Sequence, residues 1–452
     1  MISPGEFNPD LHYYEKVKNK IIHPDVKTFL SYTKNDLIDK YVEQHNNIDK
    51  KTLENILMYQ PKHFYWSGVD LYKTETNKMI ILETNSCPSG QKSMPDDIPG
   101  HRYILLMQQF LYLSKTKSHI KGSLAVIYDI NQMELSGYAK QLANLANESV
   151  YYIEIHEKEN KHIYWENGVL FVLNDGTYIP IRAAFRFVTQ KPWLKIPVKT
   201  QTFIYNPVIA CLAGGRNKLI ANKAYDNFNE EFSSTGIKIH KPLTLTDIDL
   251  KDIAEHVRNM NYCSVIKIPY SNSGQEVFII RCEKELNDFL REVNNFTYKK
   301  CIIQELITPT RTLADTSGNK YIYDLRFMNY HNGSNYVPLI MYARKAKSHF
   351  SNENMASSKD MYLTNLSERI TCGGWVHHSE RLILLDEKEY IMLNINIENL
   401  VEAYFQCVFA TIAIDKMADS LYKDDFNIEL FTKLNDDTSL ITEIISLNKG
   451  KF

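Results

Sequence analysis

The sequence lacks the cysteine pattern of a disulfide-stabilised or zinc-binding protein. Its 452 residues contain seven cysteines, an odd number, and no two of them form a C-x-x-C pair. Scattered single cysteines argue against a disulfide framework and favour a reducing compartment. We therefore predict a cytoplasmic protein.

Strong charge and long apolar runs are also missing. The formal net charge at pH 7 is −2, and no basic patch with interleaved aromatic residues stands out, which argues against a nucleic-acid partner. The N-terminal sequence MISPGEFNPD has neither the basic start nor the apolar stretch of a signal peptide. The apolar runs at 103–113 and 400–414 are too short or too interrupted to predict a membrane span.

What is present indicates an ordered globular chain. Hydrophobic residues make up 44% of the sequence, enough for a large core. A buried strand pattern, SLAVIYD (123–129), precedes a helical pattern and a second strand, VYYIEI, which is typical of a small α/β unit. Strand patterns dominate 264–345, and 395–425 is helical. We predict an α+β fold with mixed sheets, divided into segments at 1–118, 119–213, 214–380 and 381–452.

A group of oxygen-bearing side chains lies near the N-terminus. FYWSGVDLY and KMIILETN flank the polar stretch KTETN, which predicts a β-hairpin. Glu83 and Asn85 are two positions apart on a strand and so share a face, and pairing of the two strands brings Asp70 towards them. Two carboxylates and an amide oxygen suit Mg²⁺. The alternative is that these are ordinary solvated strand residues.

This segment resembles a known family. The order G-x-D, short hairpin, apolar residues, E-x-N-x-x-P is similar to the metal-binding end of ATP-grasp enzymes, in which the Asp, Glu and Asn hold magnesium ions on ATP. Pro88 and Gly90 fall where the family often has a Pro-Gly turn. In most of these enzymes the segment comes last, whereas here it comes first. The resemblance therefore implies a circularly permuted order, as in eukaryotic glutathione synthase and pheganomycin-type peptide ligases.

Three downstream segments resemble the nucleotide-binding parts of the same family. In SVIKIPYSNSGQEVFII a strand lysine precedes a small polar loop, and both can contact phosphate. CIIQELI resembles the strand that lines the adenine pocket, and GGRNKLIA resembles a lysine-bearing helix start. Ordinary hairpins, buried strands and solvated helix lysines are the alternatives. The predicted nucleotide-binding residues are Lys218, Lys267, Ser271, Ser273, Gly274, Gln304, Glu305, Leu306 and Ile307, with Arg216 and Asn217 as weaker neighbours.

Two arginine-bearing strands and a loop complete the series. Arg326 in YIYDLRFMNY and Arg344 in IMYARKA match the positions from which the family's arginines reach the phosphates, a task that suits the planar guanidinium fork. Asn365 precedes a Gly-Gly pair at 373–374, as in several family members. We predict these three as catalytic residues. Surface ion pairs are the alternative for the arginines.

The resemblance implies an ADP-forming ligase that uses ATP and Mg²⁺ to join a carboxylate to an amine through an acyl phosphate. Its usual substrates are amino acids or short peptides, and a homodimer is possible. Segment 1–118 then carries the permuted metal-binding part, 119–213 the substrate-side α/β domain, 214–380 the ATP-clamping lobes and 381–452 a C-terminal helical segment. Substrate carboxylates have further candidate partners in Arg186 and Arg311, for which structural ion pairs are the alternative, and Asn206 is a candidate to face the cleft.

Three other functions stay open on the sequence alone. The first is phosphoryl transfer to a non-carboxylate acceptor. The second is nucleotide binding without turnover. The third is a structural α+β protein in which the motifs arose by chance, and which binds no ATP.

Overall fold

A computed structural model describes residues 1–129, 132–155, 162–188, 195–270, 276–293, 296, 298–310, 313–314, 317–351, 357–369 and 375–448. Ser271, Ser273 and Gly274 of the predicted phosphate loop lie outside these residues, as do Arg311 and the Gly-Gly pair at 373–374. The structure mixes helices and sheets, which confirms the predicted α+β class.

The N-terminal part consists of short helices followed by a hairpin and a longer helix. Thr33 and Asp36 form a capping box that starts the third helix. Asn77, with φ of 60°, turns the chain between the two strands in the predicted hairpin. The elements are α1 Pro9–His12, α2 Pro24–Ser31, α3 Lys34–Gln44, α4 Lys50–Leu57, β1 Trp66–Lys73, β2 Met79–Asn85 and α5 His101–Lys117.

The α/β unit is present where the sequence predicts it. Its sheet has the order β4-β3-β7-β6-β5, with β8 also pairing with β7, and the pairs β3–β4, β3–β7 and β7–β8 are parallel. The crossover helix α6 connects β3 to the parallel neighbour β4. The elements are β3 Ser123–Tyr128, α6 Gln132–Ala146, β4 Tyr151–Glu154, β5 Ile163–Glu166, β6 Val169–Asn174, β7 Thr177–Phe187 and β8 Phe203–Tyr205.

A small antiparallel sheet with the order β11-β10-β12-β9 follows. It has its own hydrophobic core, formed by one sheet face and the helices α9 and α10. The elements are α7 Val208–Ala210, which continues into a π-helical segment Cys211–Gly215, α8 Lys218–Glu231, β9 Thr244–Asp249, α9 Ile253–Asn259, β10 Ser264–Lys267, β11 Val277–Ile280, α10 Glu283–Glu292 and β12 Lys300–Glu305.

The large sheet joins the two ends of the chain. Its order, β19-β16-β15-β1-β2, pairs the N-terminal hairpin with strands more than 250 positions later. The permuted order expected from the sequence requires such a pairing. The remaining elements are β13 Leu313–Ala314, β14 Lys320–Tyr321, β15 Tyr323–His331, β16 Tyr336–Lys345, α11 Ser358–Tyr362, β17 Ser367–Arg369, β18 Trp375–His377, β19 Leu382–Ile383, α12 Ile397–Leu421, α13 Ile428–Leu434 and α14 Thr438–Asn448.

Helix α12 packs against the large sheet and helix α8. Among the described residues it is the one helix that is long and apolar enough to cross a membrane, which the sequence alone did not suggest. However, 89% of its most apolar stretch is buried inside the protein, as in the core helix of a globular fold. Asn396 caps its first turn.

Candidate functional site

Polar side chains from three neighbouring strands meet in the large sheet. Asp70 on β1 lies opposite Glu83 on β2, as the hairpin prediction requires, and its other neighbour is Arg326 on β15. A bulge follows Asp70 on the β1–β2 ladder, a feature often found beside functional sites. The carboxylates predicted to hold metal therefore lie next to a predicted catalytic arginine.

Asp70 is bound by two arginines. Arg326 grips it with both arms of its fork, Nε to Oδ1 at 2.6 Å and Nη2 to Oδ2 at 2.6 Å, and Arg344 Nη2 lies 2.8 Å from Oδ2. Burial opposes ionisation of this carboxyl, which is 2% exposed, but the two guanidinium groups outweigh it and hold the pKa of Asp70 below its ordinary range. Asp70 is therefore an anion in this structure.

Arg344 also binds a second buried carboxylate. Its Nε donates to Asp324 Oδ1 at 2.9 Å and its Nη2 donates to Oδ2, while the Thr364 hydroxyl donates to the same Oδ2 at 2.8 Å. We call Asp70, Asp324, Arg326 and Arg344 the arginine–aspartate network. It contains two carboxylates and two guanidiniums, all at most 9% exposed, so its formal charges cancel.

Glu83 lies beside the network and faces a different environment. Its Oε2 is 3.8 Å from Lys218 Nζ, and its side chain is 27% exposed. The Asn85 amide, on the same face of β2, donates to Glu83 Oε1 at 3.4 Å and accepts from Arg216 Nη1 at 3.0 Å. Both face a polar pocket of about 340 Å³, lined by Leu82, Glu83, Thr84, Asn85, Gly214, Gly215, Arg216, Lys218, Ala221, Asn222 and Tyr225.

The start of helix α8 is held tightly against β2. The Asn217 side chain caps the helix by accepting from the backbone of Leu219 and Ile220. Gly214 has φ of 142°, and a Cβ at Gly215 would lie 2.4 Å from Ser86 Cβ, so only glycine allows this approach. This packing places Lys218 and Arg216 over the polar pocket.

Lys267 lies between the polar pocket and a second cavity. Its Nζ donates to the Leu82 carbonyl at 3.1 Å. Burial lowers the pKa of Lys267 to about 8, with Glu83 opposing that shift and Lys218 adding to it. Burial also lowers the pKa of Lys218. The charged form of each lysine is therefore disfavoured by burial and favoured by the nearby Glu83 carboxylate.

The second cavity is an apolar cleft of about 440 Å³ between the small sheet and the hairpin. Glu305, Leu306, Ile307 and Gln304, which are predicted to bind nucleotide, line this cleft. However, the Gln304 amide donates to Thr244 Oγ1 at 3.0 Å. The full lining is Tyr72, Leu82, Pro242, Val265, Lys267, Val277, Ile279, Gln304, Glu305, Leu306, Ile307, Tyr362 and Leu363. Leu82 and the adjoining Lys267 connect this apolar cleft to the polar pocket.

Two of the three predicted metal ligands, Glu83 and Asn85, have oxygen donors that suit Mg²⁺. Glu83 and Asn85 line the polar pocket, and Mg²⁺ commonly takes one or two carboxylates with substrate phosphates supplying the rest. The Asn85 oxygen accepts from Arg216 in this structure and can reach an ion only if that hydrogen bond opens. Asp70 can join them only if the arginines release its oxygens. Within the described part of the chain, no group of three His, Cys, Asp or Glu side chains is arranged as a metal site.

The predicted catalytic residues do not all reach the cavities. Arg326 and Arg344 lie in the network, and Asn365 is half-buried in the loop after α11, where its carbonyl accepts from Arg381 Nη2. Arg186 is fully buried and forms no ion pair with the described residues; it donates to the carbonyls of Asn206 and Val188 and to the Ser86 hydroxyl.

Asn206 does not face the cleft. Its side chain is fully buried and bridges Tyr65, Trp66 and Ser86 backbone groups, so its task is to tie the α/β unit to the hairpin. The expectation that Asn206 faces the cleft is therefore wrong.

Sequence reasoning missed the apolar wall of the cleft. Val265 and Lys267 alternate on β10, and Val277 and Ile279 alternate on β11, so each pair shares one face. That period of two was a usable signal. Tyr72 and Tyr362 also line the cleft, and the Tyr72 hydroxyl donates to the Tyr362 carbonyl at 2.8 Å. These two residues are 290 positions apart, so no local sequence pattern reveals their contact.

No protein-family model and no curated protein matches the chain, whereas solved structures do. The "Putative gamma-glutamylcysteine synthetase" of Methylobacillus flagellatus KT is 14% identical, with 89% of this chain and all of that chain covered and a TM-score of 0.48. The RimK domain ATP-grasp protein of Sphaerobacter thermophilus DSM 20745 is 8% identical, covering 48% and 90%, with a TM-score of 0.31. The N5-carboxyaminoimidazole synthetase of Staphylococcus aureus, complexed with ADP, is 10% identical, covering 58% and 82%, with a TM-score of 0.29.

At these identities and scores the likeness concerns the fold and carries no argument about chemistry. One of these solved structures, from Sphaerobacter thermophilus, is described as an ATP-grasp protein.

Proposed function

We propose that this chain, with an α+β fold similar to that of ATP-grasp proteins, is an ADP-forming ligase that joins a carboxylate to an amine. The observation that carries the proposal is that two unlike cavities meet at Leu82, whose carbonyl accepts from Lys267. An apolar cleft fits a nucleotide base, and a cationic pocket fits its phosphates.

The charges of the pocket support this placement. Arg216 and Lys218 line the polar pocket beside Glu83, and Lys267 adjoins it through its hydrogen bond to the Leu82 carbonyl. The negative charge of a polyphosphate would offset the cost of burying these cations. Their N–H groups would donate hydrogen bonds to its oxygens. The base lies against the backbone of Glu305, Leu306 and Ile307.

ATP-grasp ligases use Mg²⁺ with ATP. In this chain Glu83 and Asn85 would hold the ion, which would neutralise negative charge on the phosphates. Asp70 would join them once its carboxylate is free of Arg326.

The reaction needs no nucleophile from the protein. The donor carboxylate forms a bond to the γ-phosphorus of ATP, and the bond from that phosphorus to ADP breaks. The amine then attacks the carbonyl carbon of the acyl phosphate, inorganic phosphate leaves and the amine loses a proton. Arg326 and Arg344 stabilise charge on the transferred group, and the protein otherwise positions the reactants. The resemblance suggests amino acids or short peptides as substrates.

The test is ATP turnover with magnesium across pools of amino acids and short peptides, measured as ADP and phosphate and followed by mass spectrometry for an amide. We expect ADP formation that depends on two added substrates. ADP formation without any amide product would contradict the ligase assignment and favour phosphoryl transfer. No binding of ATP at all would remove the nucleotide site itself.

One observation favours a second candidate, a nucleotide-binding protein without turnover. Both Asp70 oxygens are bonded to arginines, so the third predicted metal ligand is not presented to the polar pocket. This candidate predicts that ATP binds but that no substrate pool produces ADP, whereas the ligase requires the arginines to leave Asp70 when the site fills.

A further inference from the structure

The turn between the last two helices, α13 and α14, has a defined position. Helix α13 ends at Leu434, and Asn435 closes it by donating its backbone N–H to the Phe431 carbonyl at 2.8 Å. Phe431 is fully buried in the large core. Asp437 begins helix α14 by accepting from two backbone N–H groups of its first turn. Both helices therefore fix the residues between them.

Three consecutive residues of this turn bond to other parts of the protein. The Leu434 carbonyl accepts from Lys223 Nζ of helix α8 at 2.7 Å. Asp436 Oδ2 lies 2.6 Å from Lys300 Nζ at the start of β12. We call Leu434, Asn435 and Asp436 the C-terminal clasp. It bridges helix α8, which belongs to the large core, and the small sheet, which has its own core.

Asn435 is the buried centre of the clasp. It is 1% exposed, and its amide binds two tyrosines. Its Oδ1 accepts from the Tyr298 hydroxyl at 2.7 Å, and its Nδ2 donates to the Tyr270 hydroxyl. The centroids of the two tyrosine rings are 5.8 Å apart. Because breaking either bond leaves a polar group of a buried amide without its partner, Asn435 holds both rings in place.

Tyr270 connects the clasp to the polar pocket. It follows Pro269, whose carbonyl accepts from the Lys218 backbone N–H at 3.0 Å, and Lys218 lines the pocket. Lys267, three positions before Tyr270, adjoins the same pocket. The next residue along the chain, Ser271, is the first of the predicted phosphate loop. The clasp therefore holds the stretch of chain that follows Lys267 and leads into that loop.

We propose that Asn435 is a positioning residue for phosphate binding, which acts by holding Tyr270. The proposal deepens the proposed function and rests on it for the identity of the ligand, a nucleoside triphosphate. A segment that is fixed before the ligand arrives loses less conformational entropy on binding, which increases affinity.

The same geometry predicts which part of the nucleotide is affected. In the described part of the chain, the apolar cleft is lined by none of the residues that bond to the side chains and carbonyl of the clasp, which are Lys223, Tyr270, Tyr298 and Lys300. Recognition of the base should therefore not depend on the clasp, whereas recognition of the phosphates should.

Calorimetry on the full-length protein with magnesium tests the proposal with three probes, which are ATP, tripolyphosphate and adenosine. Asn435→Leu replaces the amide by an apolar side chain of similar size, and Tyr270→Phe removes only the hydroxyl that the amide holds. We expect each change to weaken binding of ATP and tripolyphosphate about fivefold and to leave adenosine binding unchanged. The double variant should bind ATP no more weakly than the single variants, because all of them remove the same contact.

The matched control is Tyr298→Phe. It removes the other hydroxyl from the same amide but leaves the bond between Asn435 and Tyr270. We expect this variant to bind ATP as the wild-type protein does, although its melting temperature should fall by as much as that of Tyr270→Phe. If Asn435→Leu does not fold, the two tyrosine variants still decide the question.

Three results would overturn the proposal. They are unchanged ATP affinity in Tyr270→Phe, an equal loss of ATP affinity in Tyr298→Phe, and a parallel loss of adenosine binding, which would mean that the clasp only stabilises the fold. If the wild-type protein binds neither ATP nor tripolyphosphate, the proposed function itself fails and Asn435 has no phosphate site to position. Equal ATP binding by the wild type and all variants keeps the nucleotide site and removes only the role of the clasp.

Discussion

The arginine–aspartate network and the polar pocket involve adjacent strands but differ in how closely their carboxylates are paired with cations. In the network, Asp70 and Asp324 are fully matched by Arg326 and Arg344. In the polar pocket, Glu83 is 27% exposed and its nearest lysine, Lys218, is 3.8 Å away.

The position of each strand in the sheet explains the difference. β1 is an interior strand, and its neighbour β15 places Arg326 directly opposite Asp70. β2 is the edge strand, so no further strand supplies a partner to Glu83, which faces the pocket instead. We infer that in the ligand-free protein the matched network stabilises the sheet around Asp70, whereas Glu83 stays accessible from the polar pocket.

The largest expected effect comes from unbalancing the network. Asp70→Asn leaves two buried guanidiniums with reduced compensation, and breaking a buried pair of this kind costs about 3–5 kcal/mol. Denaturant unfolding of wild type and variant measures the loss. Asp39→Asn is the control, since Asp39 and its partner Lys50 are both about half exposed, at 53% and 51%. A stability change for Asp70→Asn as small as that of the control would show that the network is not a stabilising element.

The matching change in the polar pocket should affect activity and leave the fold intact. Glu83→Gln removes the charge offered to a metal ion from a partly exposed side chain, so we expect turnover to fall by roughly a hundredfold or more with little change in melting temperature. Glu75→Gln, at the exposed tip of the same hairpin, controls for a general effect on the hairpin. Normal activity in Glu83→Gln would show that the metal site has been placed wrongly.

The sequence predicted the local parts of this arrangement well. The hairpin that sets Asp70 opposite Glu83 follows from two strand patterns around a polar turn, and Lys267 follows from a single strand pattern. Both are contacts between residues near in sequence, where alternation and turn chemistry act directly.

The long-range parts could not be predicted in the same way. Arg326 was recognised as an arginine near phosphate, but its present partner, Asp70, lies 256 positions away and is set by sheet register. Asn206 carries no local sign that it will be buried between two units. Helix α12 was recognised as a helix, but its burial on nearly all sides depends on which elements surround it.

A smaller effect is expected in the pH dependence of nucleotide binding, which should involve the lysines at the polar pocket and not the network. Lys267 has a pKa of about 8, well below the ordinary value for lysine, because of its burial. Its charged form binds phosphate, so nucleotide affinity should be constant below that pKa and fall by up to about tenfold per pH unit above it, until the pKa of the bound state is reached.

Calorimetry at about pH 7 and about pH 9 tests this expectation. Lys267→Gln should bind nucleotide more weakly at the lower pH and lose much of the dependence, with Lys218 contributing the remainder in the same direction. The stability of the free protein has the opposite sign. The unfolded chain binds the extra proton between the two pKa values, so unfolding becomes less favourable as pH rises through that interval. An unchanged pH profile in Lys267→Gln would exclude this lysine from the binding site.

The smallest effect is expected at the rim of the apolar cleft. Glu305 is exposed at the end of β12, and its backbone nitrogen donates to the Leu243 carbonyl at 2.9 Å. Its backbone is thus fixed while its carboxylate is free to accept from the base or sugar of a nucleotide. Glu305→Gln should weaken ATP binding by about 1 kcal/mol, roughly fivefold, and should reduce discrimination between ATP and GTP. Glu255→Gln, on helix α9, is the control. If Glu305→Gln keeps its affinity and selectivity, the backbone of 305–307 alone recognises the base. The charged groups that affect nucleotide binding would then be those around Glu83.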